Sequence, residues 1–265
     1  YAYPPTGLQW ILKSLETTDL DVSILDLNYE FLRRIIEDDT FSPNDWLSIV
    51  DEWLDKIQPS VVGVSCIGVS TNLLDDNHPL TGVLRHVKKK NSCIVIAGGP
   101  IATNEYKDCL NHDLCHFVAA NESENKTKYL LRSLYGYLSD EKSISGIYFV
   151  NGNGIAKTKG SSDVVQLEGN IVSTYSSIPI EKYNSVGSLN PFSRMAGQDK
   201  HFSGIQLNRG CRANCKFCGV TAFMGRGVRQ FPVNDLIEEI HYLVKVREVR
   251  HFELLDDDFL GPSSL

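Results

Sequence analysis

No stretch of this 265-residue sequence is apolar for long enough to cross a bilayer. Its longer apolar runs, such as residues 61–64 and 94–97, are strand-sized, against the roughly 20 residues a membrane helix needs. Positive charge is also scarce: 26 Lys and Arg stand against 33 Asp and Glu, for a formal charge of −7. No basic block or stripe offers a grip on nucleic acid or on an anionic membrane surface. No secretory leader pattern is present, so a cytoplasmic location is expected. An even cysteine set is lacking too. Seven cysteines without a secretory signal argue against a disulfide framework. The sequons at Asn121 and Asn125 are read as chance for the same reason. The apolar share of 42% is ordinary, so a real core can be buried.

Residues 1–138 alternate between helix and strand patterns. Leu8, Ile11, Leu12 and Leu15 share a helical face, and residues 22–27 read as a short strand. Helical spacing returns over residues 46–57 and stops before Pro59. Residues 61–66 form a β-branched apolar run, as expected of a strand covered on both faces. A helix over 80–87, a strand over 93–97, a stop at Gly98-Gly-Pro100, a strand over 116–120 and a helix over 126–138 complete the pattern. The alternation predicts an α/β fold with a Rossmann-like, doubly wound parallel sheet. Residues 139–200 are rich in Ser, Asn, Gly and Pro and read as a linker. It carries a hairpin turning at Asn151-Gly-Asn-Gly154. From residue 201 the α/β pattern resumes: a strand over 202–207, a helix opened by Pro232, and a strand over 252–255 that ends in Asp256-Asp-Asp258.

Between the first strand and the helix of this last part lies Cys211-Arg-Ala-Asn-Cys215-Lys-Phe-Cys218. Three thiols fall within eight residues. Soft thiolates suit an iron–sulfur cubane, and three of them on four irons leave one iron open to a ligand. A structural zinc site wants four ligands. The loop supplies no fourth, and His201 lies on the far side of a strand. Elsewhere Cys109, His112, Cys115 and His116 have metal-like types, but residues 115–116 lead straight into a strand, so core packing is expected. Cys66 and Cys93 are dispersed.

The cysteine loop resembles the signature of the radical S-adenosylmethionine (SAM) superfamily, C-x3-C-x-aromatic-C, with Phe217 as the aromatic. The resemblance implies that Cys211, Cys215 and Cys218 hold a 4Fe-4S cluster whose open iron chelates SAM. An electron from the cluster then cleaves SAM to a 5′-deoxyadenosyl radical. It places Phe217 near the adenine. It also places one of Asp256, Asp257 and Asp258 near the SAM ammonium group, with Asp257 taken as the candidate. A solvated strand end and an aspartate-based divalent metal site stand beside that reading.

Residues 1–138 are similar to the cobalamin-binding domain found in front of many radical SAM barrels. Pro4-Pro-Thr-Gly7, Leu25-Asp-Leu27, Val62-Gly-Val-Ser65, Ala97-Gly-Gly-Pro100 and Asn121-Glu-Ser-Glu124 carry the likeness. It implies that Ser65, Gly98 and Gly99 line the pocket of the nucleotide tail, with Glu122 at its edge. The family's opening strand is not seen before Pro4, and Asn121-Glu-Ser-Glu replaces the usual Gly-Glu-Gly-Glu. Residues 1–7 hold no histidine, and His78, followed by Pro79, is read as a surface residue. Cobalamin is therefore expected to bind without histidine on cobalt.

A complete (β/α)8 barrel takes about 250 residues, and residues 201–265 hold two barrel strands. The expectation is a fragment of a longer enzyme. Its domains would be 1–138 for cobalamin, 139–200 as linker and 201–265 as the start of the barrel. The resemblance implies methyl transfer to an unactivated carbon of a small molecule, with electrons from a donor such as flavodoxin or ferredoxin, and no nucleic acid or membrane partner. Radical cyclisation or rearrangement, and a non-enzymatic iron–sulfur and cobalamin module, are the alternatives.

Overall fold

A computed structural model describes residues 3–67, 75, 78–90, 92–137, 143–152, 154–161, 164–186 and 201–259. The expectations for residues 1–2, for 187–200 and for the end at 260–265 lie outside these. The chain forms two compact units: Val50–Val165, and a second assembled from Tyr1–Ile49 with Gln166–Leu265. These divisions differ from the boundaries expected at 138 and 200.

The first helices are α1 (Thr6–Leu15), α2 (Leu27–Glu37) and α3 (Leu47–Ile57). The strand predicted over 22–27 does not form. Residues 21–26 are irregular, and α2 starts at Leu27. The reason is Asp26. Its Oδ1 accepts the Tyr29 N–H at 3.1 Å, an N-cap that commits the following residues to helix. Its Oδ2 accepts the Tyr183 hydroxyl at 2.6 Å. Ile24, which suggested a strand, packs instead against the aromatic core of this unit.

The Val50–Val165 unit is built on a five-stranded sheet. Its strands are β1 (Val61–Ser65), β2 (Ile94–Gly98), β3 (Phe117–Ala119), β4 (Ile147–Asn151) and β5 (Gly154–Lys157), hydrogen-bonded in that order. β1, β2 and β3 run parallel, with Val61 opposite Ile94 and Ser65 opposite Gly98. The helices between them are α4 (Pro79–Lys90), α5 (Gly99–Asn104) and α6 (Tyr106–Asn111), with α7 (Glu124–Leu134) after β3. Val95, Ala97, Val118 and Ala119 are buried, as their unbroken apolar runs require. The predicted hairpin forms, but as part of this sheet rather than as a linker element. β4 pairs antiparallel with β3, and β5 with β4. Ile147 is fully buried and anchors the hairpin to the sheet. The sheet is therefore parallel-rich and mixed.

In the other unit, β6 (His201–Ile205) is followed by a short β7 (Asn208–Arg209), α8 (Val220–Met224), β8 (Arg229–Gln230), α9 (Val233–Lys245) and β9 (Val249–Leu254). β6 and β9 are parallel, the β–α–β step expected at the start of a barrel. β7 and β8 make a separate antiparallel pair. Tyr29, Tyr175, Tyr183, Phe202, Leu243 and Val249 are buried together as its core. No helix among the described residues is long and apolar enough to cross a membrane.

Candidate functional site

The cysteine loop leaves the sheet at a fixed neck. Beyond β6, Asp256 Oδ1 accepts the backbone N–H groups of Leu207 at 2.9 Å and Asn208 at 2.8 Å. Asn208 and Arg209 then pair with Gln230 and Arg229. Gly210 follows at φ +92°, and a Cβ there would stand 2.2 Å from the Gly227 carbonyl oxygen. Glycine is required on both counts. Cys211 bridges to Arg226, and its carbonyl accepts the Gly227 N–H at 3.1 Å. The chain on either side of residues 212–225 is thus tied together at its base.

Above the neck the loop is open. Cys211 is half-buried, and Cys215 and Cys218 are exposed. Ala213 N–H points at Cys211 Sγ at 3.4 Å, and Cys218 N–H donates to the Cys215 carbonyl at 3.1 Å. All three cysteines are free. Their sulfurs are not gathered to one point: among the described residues no three His, Cys, Asp or Glu side chains come together as a metal site. Phe217 is 93% exposed. The donor set, three soft and accessible thiols on one short loop, fits a cubane cluster in kind.

The three aspartates at the end of β9 have separate surroundings. Burial pushes the Asp256 carboxyl up, against the two backbone donors that favour its charged form. Burial alone pushes Asp257 up. Asp258 is held down by the Arg212 guanidinium, whose Nε lies 2.7 Å from Oδ2 and Nη2 2.9 Å from Oδ1. An open hollow of about 530 Å³ is lined by Cys211, Arg212, Ala213, Asp257 and Asp258. The structure thereby brings Asp257 beside the first cysteine. Phe217 does not line this hollow.

In the Val50–Val165 unit, Ser65 ends β1, directly opposite Gly98 at the end of β2, which pairs in turn with Ala119 of β3. Gly99 follows at φ +89°, where a Cβ would meet the Cys66 carbonyl oxygen at 3.0 Å. Glu122 is buried just past β3. These four residues lie at or beyond the carboxyl ends of parallel strands, where such sheets bind ligands. Cys109 and Cys115 are buried in the core, and burial pushes the Cys66 thiol up to about 12. His116 Nδ1 accepts the Val95 N–H at 2.9 Å. His78 Nδ1 accepts the Leu80 N–H at 3.2 Å at the start of α4.

No protein-family profile matches the chain. An uncharacterized methyltransferase of Pyrococcus horikoshii is 25% identical over 97% of this chain and 49% of that protein. Cytidylyl-2-hydroxyethylphosphonate methyltransferase of Streptomyces wedmorensis is 25% identical over 96% of this chain and 51% of that protein. The chain spans about half the length of these curated relatives. Among solved structures, the radical SAM methyltransferase TsrM of Kitasatospora setae, with cobalamin and a 4Fe-4S cluster bound, superposes with a TM-score of 0.64 at 15% identity, over 97% of this chain and 45% of TsrM. The cobalamin-dependent radical SAM enzyme OxsB gives 0.63 at 16%, over 96% of this chain and 32% of OxsB. Over nearly its whole length the chain shares its fold with these cobalamin-dependent radical SAM enzymes.

Two features of this site escaped sequence reasoning. Arg209, just before the loop, lies over both the Trp10 ring at 5.4 Å and the Phe231 ring at 5.7 Å, and those rings stack at 4.8 Å. Nothing in sequence joins Trp10 to residues two hundred positions away. Arg212, inside the loop, is gripped by Asp258. An arginine beside a cysteine and an acidic run were both visible, but not their pairing.

Proposed function

We propose that this chain supplies the cluster-binding and cobalamin-binding portions of a radical SAM enzyme that methylates an unactivated carbon of a small molecule. The observation that carries the reading is the loop of Cys211, Cys215 and Cys218. Its neck is fixed by backbone pairing, while its thiols stay free and accessible. In this reading Cys211, Cys215 and Cys218 would hold a 4Fe-4S cluster. When bound, the cluster supplies the electron that cleaves SAM, and cobalamin supplies the methyl carrier.

The chain's own residues do the positioning. Asp256 is committed to the backbone of residues 207–208 and Asp258 to Arg212. Asp257 is left facing the hollow, where an ammonium group would favour the charged carboxylate that burial disfavours. Phe217, already exposed, is free to cover an adenine ring. Ser65, Gly98 and Gly99 offer a small-residue floor to a cobalamin tail, with Glu122 at its edge. His78 is engaged as a helix cap, in keeping with cobalt that takes no histidine from this chain. Electrons come from an external donor of the flavodoxin or ferredoxin kind.

The test uses the intact protein. Anaerobic reconstitution is expected to give about four irons per chain, and Cys215→Ala to abolish uptake. With SAM and reductant, 5′-deoxyadenosine and S-adenosylhomocysteine together support methyl transfer. The first product alone favours radical cyclisation or rearrangement. Stoichiometric zinc without iron, or neither product from an iron-loaded protein, overturns the reading in favour of a binding module.

A further inference from the structure

Cys211 is the half-buried member of the three cysteines, and it has a carboxylate for a neighbour. Asp258 Oδ2 lies 4.0 Å from its sulfur. The same carboxylate holds the next residue at three points. Arg212 donates its backbone N–H to Oδ2 at 3.2 Å, its Nε to Oδ2 at 2.7 Å and its Nη2 to Oδ1 at 2.9 Å. The Asp258 side chain is 14% exposed and that of Arg212 50%. The aspartate is therefore the fixed partner. Its own carbonyl is anchored by Asn208 Nδ2 at 3.3 Å. A forked guanidinium–carboxylate pair confers orientation as well as attraction. Here it ties the first turn of the cysteine loop to the end of a strand 46 residues away.

We propose that Asp258, acting with Arg212, is a positioning residue that orients the Cys211 thiolate and sets the reduction potential of the cluster it ligates. The proposal rests on the cluster reading above. Cluster potentials respond to net charge and to hydrogen bonds at the sulfurs. A carboxylate beside a ligand sulfur opposes the arrival of an electron, and the paired guanidinium offsets that opposition. The two residues are opposing levers on one electron equilibrium, and removing each moves it in the opposite sense.

The experiment reconstitutes the intact protein and its Asp258→Asn and Arg212→Gln variants, and follows reduction by electron paramagnetic resonance during a redox titration. Asp258→Asn is expected to favour the reduced cluster about tenfold, some 59 mV upward for a one-electron couple. Arg212→Gln is expected to shift it downward. Shifts of the same sign, or none, in iron-loaded variants overturn the proposal. A second measurement needs no cluster: amide exchange at residues 211–213 of the metal-free intact protein. Asp258→Ala is expected to speed it tenfold or more, and unchanged exchange there overturns the tether. Iron uptake by the parent protein tests the cluster reading separately, so the two failures are told apart.

Discussion

Phe217 sits 93% exposed, although burying an aromatic ring is normally among the larger gains a side chain can make. Such a ring contributes nothing to the fold and is available to a ligand. Phe217→Ala is accordingly expected to leave unfolding and iron uptake unchanged and to weaken SAM binding by about 1–3 kcal/mol, as for loss of base–aromatic stacking elsewhere. Titration calorimetry with the reconstituted protein checks this, and unchanged affinity would make Phe217 a bystander. Glu239 is the opposite case. It is buried, it accepts the Tyr175 hydroxyl at 2.8 Å, and burial pushes its carboxyl above the usual value of 4.5. A raised native pKa means folding favours the protonated form. The contribution of Glu239 is then fully present below about pH 4.5 and is lost as pH rises through the native value. Glu239→Gln cannot ionise. Its stability relative to the parent should grow from pH 4.5 upward and then level off. Denaturant midpoints between pH 4 and 8 measure this, and a pH-independent difference would refute it.

At the scale of elements, the neck of the cysteine loop turns on single atoms. Gly210→Ala forces a side chain into a positive-φ position and into the Gly227 carbonyl. A loss of about 2 kcal/mol or more is expected, together with reduced iron uptake. Gly219→Ala is the control, since φ there is −79° and a Cβ would meet nothing within 4 Å. Equal melting temperatures for the two variants would count against the neck. The elements themselves were unevenly legible. β1, β2 and β3 could be read because strands covered on both faces need continuous apolar runs, a purely local signal. Residues 22–27 misled because the same apolar, β-branched types can line a core without pairing, and the Asp26 cap outweighed them. The hairpin was legible as a hairpin but not as an edge of the sheet, because pairing of β4 with β3 is a long-range event. The candidate site divides the same way. Three cysteines in one loop and three consecutive aspartates announce themselves. Which aspartate serves the backbone, which the arginine and which the hollow depends on contacts some fifty residues apart.

At the scale of the molecule, the N-terminal segment forms one compact unit with the C-terminal hundred residues. Gln9 Nε2 donates to Thr174 Oγ1 at 3.1 Å, Trp10 stacks on Phe231, and Tyr29 stacks on Tyr183 at 4.7 Å. The Tyr183 hydroxyl also donates to Asp26, the residue that caps α2. One side chain thus joins the start of a helix near the N-terminus to the core around Phe202 and Leu243. Tyr183→Ala removes a fully buried ring and the capping aspartate's partner together. The expected cost is about 3–5 kcal/mol, the usual range for truncating a buried aromatic residue. The loss should appear first as faster amide exchange in α2, over Leu27–Glu37, and in β6, over His201–Ile205. Tyr183→Phe, which keeps the ring and loses the hydroxyl, should cost about 1 kcal/mol, and its effect should be confined to the start of α2. If α2 stays as protected in Tyr183→Ala as in the parent, the first fifty residues hold their fold without the last hundred, and the two-segment unit is refuted.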